Sequence, residues 1–235
     1  MQLYIQIAET FLDNPAGVLS IHQIAQRLEL PYGTAYNRTH QLGSMGVLRI
    51  QPQGKAKLCS LNAVNPMTGT LLALGAAQRT HQFLGSGTPL AEVVGKVRNF
   101  LETCGDDRLQ GALLLNLDHL KEIPIPVFSW ETENTTGQGG SATEPQEAVL
   151  PIDLFLIMEE DQDLNELQHR LESIAAPWVS IRPTRMLVSP NTLIGMLREK
   201  ENDAGLAAYH MLRRAMPLMG FECFFRTILR AFPTH

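Results

Sequence analysis

Two adjacent polar residues, Asp118 and His119, follow an apolar run and have the side chains that acid/base catalysis uses. Neighbouring residues in a loop after a strand are more often surface or structural groups, and we favour that interpretation. Residues 159–163 place four carboxylates directly after the most apolar strand pattern. Their crowding lacks the spacing of a calcium loop and is typical of the solvated start of a helix.

The cysteines, histidines and glycines support no metal or phosphate site. The three cysteines, Cys59, Cys104 and Cys223, are widely separated without a CxxC pair, so neither a zinc knuckle nor a disulfide framework is indicated. The seven histidines are dispersed, and the glycine-rich residues 137–140 do not join a strand to a helix as a phosphate loop does. We therefore expect free thiols in a reducing compartment, and no catalytic residue, metal or cofactor.

The charge distribution divides the chain into two parts. The 235 residues carry a formal charge of −5, which argues against nucleic acid because affinity for phosphates comes largely from Lys and Arg. Residues 1–62, however, carry +2, so the remainder carries −7, and the two parts are expected to face different partners. The sequence lacks a membrane-spanning apolar run and a signal-peptide pattern, which predicts a cytoplasmic location.

The first 61 residues are expected to form three short helices and a hairpin. Ser20 and Gln23 form the capping-box pattern that opens the second helix, and a proline precedes the third. A basic, glycine-containing turn connects the two strands of the hairpin. The predicted elements are helices over residues 3–12, 21–28 and 32–42, and strands over residues 47–50 and 58–61.

This order, in the stretch LSIHQIAQRLELPYGTAYNRTHQLGSMGVLRIQPQGKAKLCSLN, resembles the winged helix-turn-helix domains of bacterial and archaeal repressors. In such domains the third helix enters the major groove of DNA, and the hairpin, called the wing, reaches the neighbouring backbone or minor groove. The resemblance implies double-stranded DNA as a partner. It also implies a set of DNA-facing residues, namely Tyr32, Thr34, Asn37, Arg38, Gln41, Lys55 and Lys57.

Within that set, side-chain chemistry separates base contacts from phosphate contacts. Arg38 and Asn37 suit base edges, since Arg pairs in a bidentate manner with guanine and Asn with adenine. Tyr32, Thr34 and the two lysines suit phosphates, as do His22 and His40. The alternative is that the domain binds only protein and that the polar third helix is a solvated face.

A charge of +2 is small for a single DNA-binding copy. Two copies would double the number of phosphate contacts. We therefore expect a homodimer on a partly symmetric operator.

The rest of the chain is expected to mix helices and strands in an α+β fold. Thr88 and Pro89 have the types of an N-cap and a first helical residue, and residues 131–148 read as a mobile loop. The C-terminal helices are expected to break near Asn202 and at residues 217–220. The predicted helices cover residues 67–84, 89–104, 163–175 and parts of 192–232, and the strands cover residues 111–115, 125–130, 149–158 and 178–188.

Four segments of this region resemble the minimal nucleotidyltransferase-like domain that often follows a winged helix: residues 151–157, 185–190, 193–199 and 215–220. The two resemblances together imply an N-terminal winged helix-turn-helix followed by a nucleotidyltransferase-like α/β domain with a small mixed sheet and C-terminal helices. The implied boundaries are residues 1–65 for the DNA-binding domain, 66–87 for a connecting helix and linker, and 88–235 for the second domain.

Residues needed for catalysis in that family are missing here. Active members have a Gly-Ser turn, two aspartates one residue apart and a third carboxylate, because two Mg²⁺ ions on a triphosphate require hard oxygen ligands. This chain has no Gly-Ser at residues 115–119, has Pro151 and Asp153 at the paired positions, and has no acid between residues 172 and 199. We therefore expect a pseudoenzyme.

The leading hypothesis is a transcriptional regulator whose second domain senses a small molecule, binds a protein effector or dimerises. A divergent nucleotidyltransferase with metal ligands from Asp118, Asp153 and residues 159–163 is the enzyme alternative. An adaptor whose winged helix binds only protein is the third.

Overall fold

The computed structural model describes residues 1–12, 17–103, 108–122, 150–159, 179–199 and 214–231. These residues form helices together with two separate sheets, so the fold is α+β. No helix within the described ranges combines the length and the apolar character needed to cross a membrane.

Three helices and a three-stranded sheet form the N-terminal unit, residues 1–62. In chain order its elements are α1 (Gln2–Glu9), β1 (Leu19–Ser20), α2 (Ile21–Arg27), α3 (Tyr32–Ser44), β2 (Leu48–Gln53) and β3 (Ala56–Leu61). Strand β3 lies between β1 and β2 and pairs antiparallel with both. Gly54, at φ +59°, closes the turn of the β2–β3 hairpin, a conformation that favours glycine. The strands extend closer to this turn than predicted.

Apolar side chains at helical spacing hold this unit together. Helix α1 is shorter than predicted, since residues 10–12 form a turn, yet Phe11 in that turn is buried with the rest. Burying such side chains contributes about 25 cal/mol per Å² of apolar surface. The largest fully buried side chains of the unit are Ile5, Ile7, Phe11, Ile21, Ile24, Leu42 and Leu61.

The predicted capping box at the start of α2 is confirmed. The Gln23 N–H donates to Ser20 Oγ (3.2 Å), and the Ser20 N–H donates to Gln23 Oε1 (2.8 Å). We expect Ser20→Ala to lower the free energy of unfolding by about 1 kcal/mol in urea titrations, because an N–H at the helix start loses its acceptor. Ser20→Thr, which keeps the hydroxyl, should recover most of that loss; equal losses in both variants would contradict the capping role.

Helix α4 (Pro66–Leu84) links the N-terminal unit to the rest of the molecule. The Asn65 side chain caps its start by accepting from the Met67 N–H (2.9 Å). The helix packs against α1, and Arg79 forms an ion pair with Glu9 of α1. At its other end the Thr80 hydroxyl, which is buried, donates to the Pro217 carbonyl (2.7 Å). Helix α4 therefore bonds to α1 through Arg79 and to the backbone at Pro217, in the second half of the chain, through Thr80.

A second sheet, called here the C-terminal sheet, and the helices around it form the rest of the described molecule. The elements are α5 (Pro89–Thr103), β4 (Leu109–Leu114), α6 (Leu117–Glu122), β5 (Leu150–Met158), β6 (Val179–Val188), α7 (Pro190–Arg198), β7 (Met216–Met219) and α8 (Phe221–Ala231). The strand order is β6-β5-β4-β7. The sheet is mixed, since β5 and β6 run parallel whereas β4 pairs antiparallel with both β5 and β7.

Successive side chains of β5 point to opposite faces of this sheet, and both sets are buried. Leu154 and Leu156 pack with α5 and α6 on one face, whereas Phe155 and Ile157 pack with α4, α7 and α8 on the other. This alternation follows from the two-residue period of a strand. The second face shares one continuous core with the N-terminal unit.

One local prediction in this region is wrong: Asp118 and His119, expected in a loop, lie in the short helix α6. The helix break expected at residues 217–220 is confirmed, since the next helix begins at Phe221. The break contains most of strand β7, which was not predicted and which pairs with β4 at the edge of the sheet, where a strand tolerates Pro217. The Thr88 cap is confirmed, because its Oγ1 accepts from the Ala91 N–H (3.2 Å). The strand over 125–130, the loop over 131–148, the helix over 163–175, the break near Asn202 and Cys104 lie outside the described residues.

Candidate nucleic-acid interface

Helix α3 buries one side and presents a polar side to solvent. Ala35, Thr39 and Leu42 point into the core, and their spacing of three and four residues is that of one helix face. The structure leaves all five predicted side chains of α3 exposed: Tyr32, Thr34, Asn37, Arg38 and Gln41. The exposed side is therefore available to a partner along the whole helix.

On the α1 side of this surface, Arg38 and Gln41 are joined by Tyr4. The Tyr4 hydroxyl donates to Gln41 Oε1 (2.7 Å), and Arg38 Nη1 donates both to Gln41 Oε1 (2.9 Å) and to the Tyr4 hydroxyl (3.1 Å). The guanidinium also lies 5.5 Å from the centre of the Tyr4 ring, within the range of a cation–π contact. Sequence reasoning missed Tyr4, because the contact spans 37 residues.

On the hairpin side, Lys57 is held against α3. Its Nζ donates to the Tyr36 hydroxyl (2.6 Å), lies 3.0 Å from His40 Nε2 and sits 4.6 Å from the centre of the Tyr36 ring. Lys57 therefore attaches the hairpin to α3, in addition to supplying charge. The repeat of aromatic rings at Tyr32, Tyr36 and His40, four residues apart, is the signal that could have pointed to this cluster.

The environment of His40 lowers the pKa of its imidazole. Burial lowers the pKa of His40 below its ordinary value, and the positive charge of Lys57 lowers it further. The unfolded chain then binds this proton more tightly than the folded protein does. The contribution to stability is present above pH ~6.5 and is lost as the pH falls.

We expect the NMR titration midpoint of His40 to lie below 6.5, the ordinary histidine value. Lys57→Met should raise it towards that value without reaching it, because burial remains the larger cause. Lys55→Met is the matched control: it removes the same charge from the same hairpin and should leave the midpoint unchanged. A wild-type midpoint above 6.5, or equal shifts in the two variants, would contradict this assignment.

The hairpin carries an exposed lysine at its turn, and a cleft lies between the hairpin and α3. Lys55 follows Gly54 at the turn and is exposed. Below it, a cleft of ≈ 520 Å³ separates α3 from the hairpin. The cleft is lined by residues of α3 and of the hairpin, namely His40, Gly43, Ser44, Leu48, Ile50, Pro52 and Lys57.

Charge is distributed unevenly around this surface. Residues 31–62, which include α3 and the hairpin, contain four basic residues and no Asp or Glu. The acidic residue nearest in sequence is Glu29, which precedes α3, and Glu9 of α1 pairs with Arg79. Residues 31–62 therefore carry a net charge of +4, although the whole chain is acidic.

The residues considered above for nucleotidyl transfer lie at the C-terminal sheet. Asn116, in the segment for which the resemblance implies a Gly-Ser turn, bonds to β5 through its side chain: Nδ2 donates to the Pro151 carbonyl (2.8 Å) and Oδ1 accepts from the Asp153 N–H (3.1 Å). Asp118 pairs with Lys121 (3.6 Å) and is exposed. Across the described ranges no three His, Cys, Asp or Glu side chains are grouped so that they could hold a metal ion. Of the acidic residues 159–163, only Glu159 is described.

Comparison with known proteins gives no relative. No family model, curated protein or solved structure matches the chain.

Proposed function

We propose that this chain is a DNA-binding transcriptional regulator, in which residues 1–62 act as a winged helix-turn-helix domain with α3 as the recognition helix. The helix and strand order of the N-terminal unit, with β3 between β1 and β2, supports this proposal. The observation that carries it is the charge of residues 31–62, which include α3 and the hairpin and contain four basic and no acidic residues. An α-helix fits the major groove, which is about 12 Å wide.

Each part of the surface has a role in the proposal. Asn37, Arg38 and Gln41 face base edges, since they are exposed along one side of α3. Tyr32, Thr34 and Lys55 contact phosphates, which position the helix without reading sequence. Lys57 is the exception to the sequence-based expectation, because its bonds to Tyr36 and His40 give it a structural role as well.

The C-terminal sheet and its helices are proposed to be a non-catalytic nucleotidyltransferase-like domain that senses an effector, binds a partner or dimerises. The side chain of Asn116 supports the non-catalytic part, because both ends of its amide are already bonded to the backbone of β5. Incubation with labelled nucleoside triphosphates and Mg²⁺ should give no transfer. Label transfer by the wild type that disappears in Asp153→Ala would overturn the non-catalytic assignment.

Fluorescence anisotropy with duplexes from the promoter of the protein's own operon tests DNA binding. We expect saturable binding that weakens with added salt, since each phosphate contact contributes about −0.9 to the slope of log K against log salt. A control with heparin-blocked protein should show no change in anisotropy. The absence of saturable binding at about 50 mM salt would overturn the proposal and favour a protein-binding adaptor.

The proposal includes a homodimer, because four basic residues per copy provide few phosphate contacts. Light scattering of the complex should give two chains per duplex on a partly symmetric site, with half-sites about one DNA turn apart. One chain per duplex would contradict the proposed homodimer.

A further inference from the structure

Gln41 and Arg38 form a closed hydrogen-bonded triangle with Tyr4 that restricts what they can offer to a partner. Three bonds of 2.7, 2.9 and 3.1 Å connect the Tyr4 hydroxyl, Gln41 Oε1 and Arg38 Nη1. All three side chains are at the surface, on the side of α3 that meets α1. The triangle fixes two side chains that would otherwise sample several rotamers.

The chemistry of the triangle determines the orientation of the Gln41 amide. An arginine guanidinium only donates hydrogen bonds, so the amide atom facing Arg38 Nη1 must be the oxygen and not the NH₂ group. The Tyr4 hydroxyl then donates to the same oxygen while accepting from Arg38. Both lone pairs of Oε1 are therefore used, and within the described part of the chain no group accepts from Gln41 Nε2.

The atoms of Gln41 and Arg38 that remain outside these three bonds are consequently all hydrogen-bond donors. Gln41 offers the two hydrogens of Nε2, and Arg38 offers those of Nη2 and Nε. A glutamine normally reads adenine by donating to N7 and accepting from the N6 amino group. That second bond is blocked here, because Oε1 is already occupied by Tyr4 and Arg38. Guanine, by contrast, presents two acceptors, N7 and O6, in the major groove.

We infer that Tyr4 is a positioning residue which makes Gln41 and Arg38 a donor-only reader of guanine, so that the base pair facing Gln41 is selected as guanine over adenine. The inference rests on the proposed DNA-binding function and extends it to the base that α3 recognises. Tyr4 lies in α1 and acts through the other two side chains, without itself needing to touch DNA.

Selection from a library of duplexes with about 20 random base pairs tests this inference, since it measures preference at every position. The base pair read by Gln41 is identified as the one whose preference disappears in Gln41→Ala. At that pair the wild-type protein should favour guanine over adenine about tenfold or more. Tyr4→Phe keeps the ring but frees Oε1 to accept, so the ratio should fall to about threefold or less. Preferences at the other positions should stay unchanged.

Each outcome bears on the inference in a distinct way. An unchanged guanine preference in Tyr4→Phe, or a wild-type preference for adenine, would overturn it. A uniform loss of affinity for all sequences would also overturn it, because that result marks a phosphate contact or a structural role of Tyr4. If Tyr4→Phe is poorly folded by thermal melting, the wild-type preference at the pair identified with Gln41→Ala still decides, because a glutamine with a free Oε1 would favour adenine there. Failure of the wild type to bind any duplex would instead remove the proposed function itself.

Discussion

Replacing both Arg38 and Lys55 by alanine is expected to weaken binding to duplex DNA by about 100-fold, with the fold retained. The guanidinium of Arg38 is proposed to contact a base edge, and such a pair contributes roughly 1–3 kcal/mol. Lys55, exposed at the hairpin turn, is proposed to contact a phosphate. Its loss should reduce the slope of log K against log salt by about 1. Anisotropy titrations at several salt concentrations measure both effects.

A matched control removes two positive charges from another surface. Arg98 on α5 and Lys121 on α6 pair with Glu102 and Asp118, outside the N-terminal unit. Arg98→Ala with Lys121→Ala changes the net charge by the same amount and should leave DNA affinity nearly unchanged. Equal weakening by the two double variants would mean that total charge, and not the α3 surface, governs binding.

Gly220→Ala is expected to give the largest loss of stability, about 3 kcal/mol, by adding backbone strain to overpacking. Gly220 has φ +67° between β7 and α8, a conformation that costs other residues energy. A Cβ there would also overlap the backbone of Gln110 and Gly111 in β4. Because backbone atoms cannot move aside without separating β7 from β4, the free energy of unfolding in urea should fall sharply.

The same substitution at Gly195 provides the control. Gly195 lies inside α7, and a Cβ there meets no heavy atom within 4 Å. Alanine favours a helix interior over glycine, so Gly195→Ala should raise stability by up to about 1 kcal/mol. A Gly220→Ala variant as stable as the wild type would show that the close approach of Gly220 to β4 is not maintained in solution.

Local sequence signals predicted most of the N-terminal unit. Ser20 and Gln23 predicted the start of α2 because a capping box involves residues only three positions apart. Pro31 and Gly54 likewise mark the start of α3 and the turn of the hairpin. The α+β fold also followed from sequence, since the apolar strand patterns of the second half were long enough to recognise.

Contacts between distant residues could not be predicted in this way. The partners of Arg38 and Lys57 come from elements 34 and 21 residues away, and no local pattern encodes which side chain will lie opposite. Strand β7 was missed because Pro217 and Gly220 are typical of turns, whereas its pairing with β4 depends on the sheet edge being free. The exposure of the five α3 residues was predictable from helical period; their hydrogen-bonded arrangement was not.

The most direct test of the proposed DNA surface is an NMR titration of isotope-labelled protein with the selected duplex, following backbone and side-chain amides. We expect the largest shifts at Asn37, at the Gln41 side-chain NH₂ and at Lys55, with α6 residues unaffected. Shifts confined to the C-terminal sheet and its helices, with none in α3 or the hairpin, would contradict it.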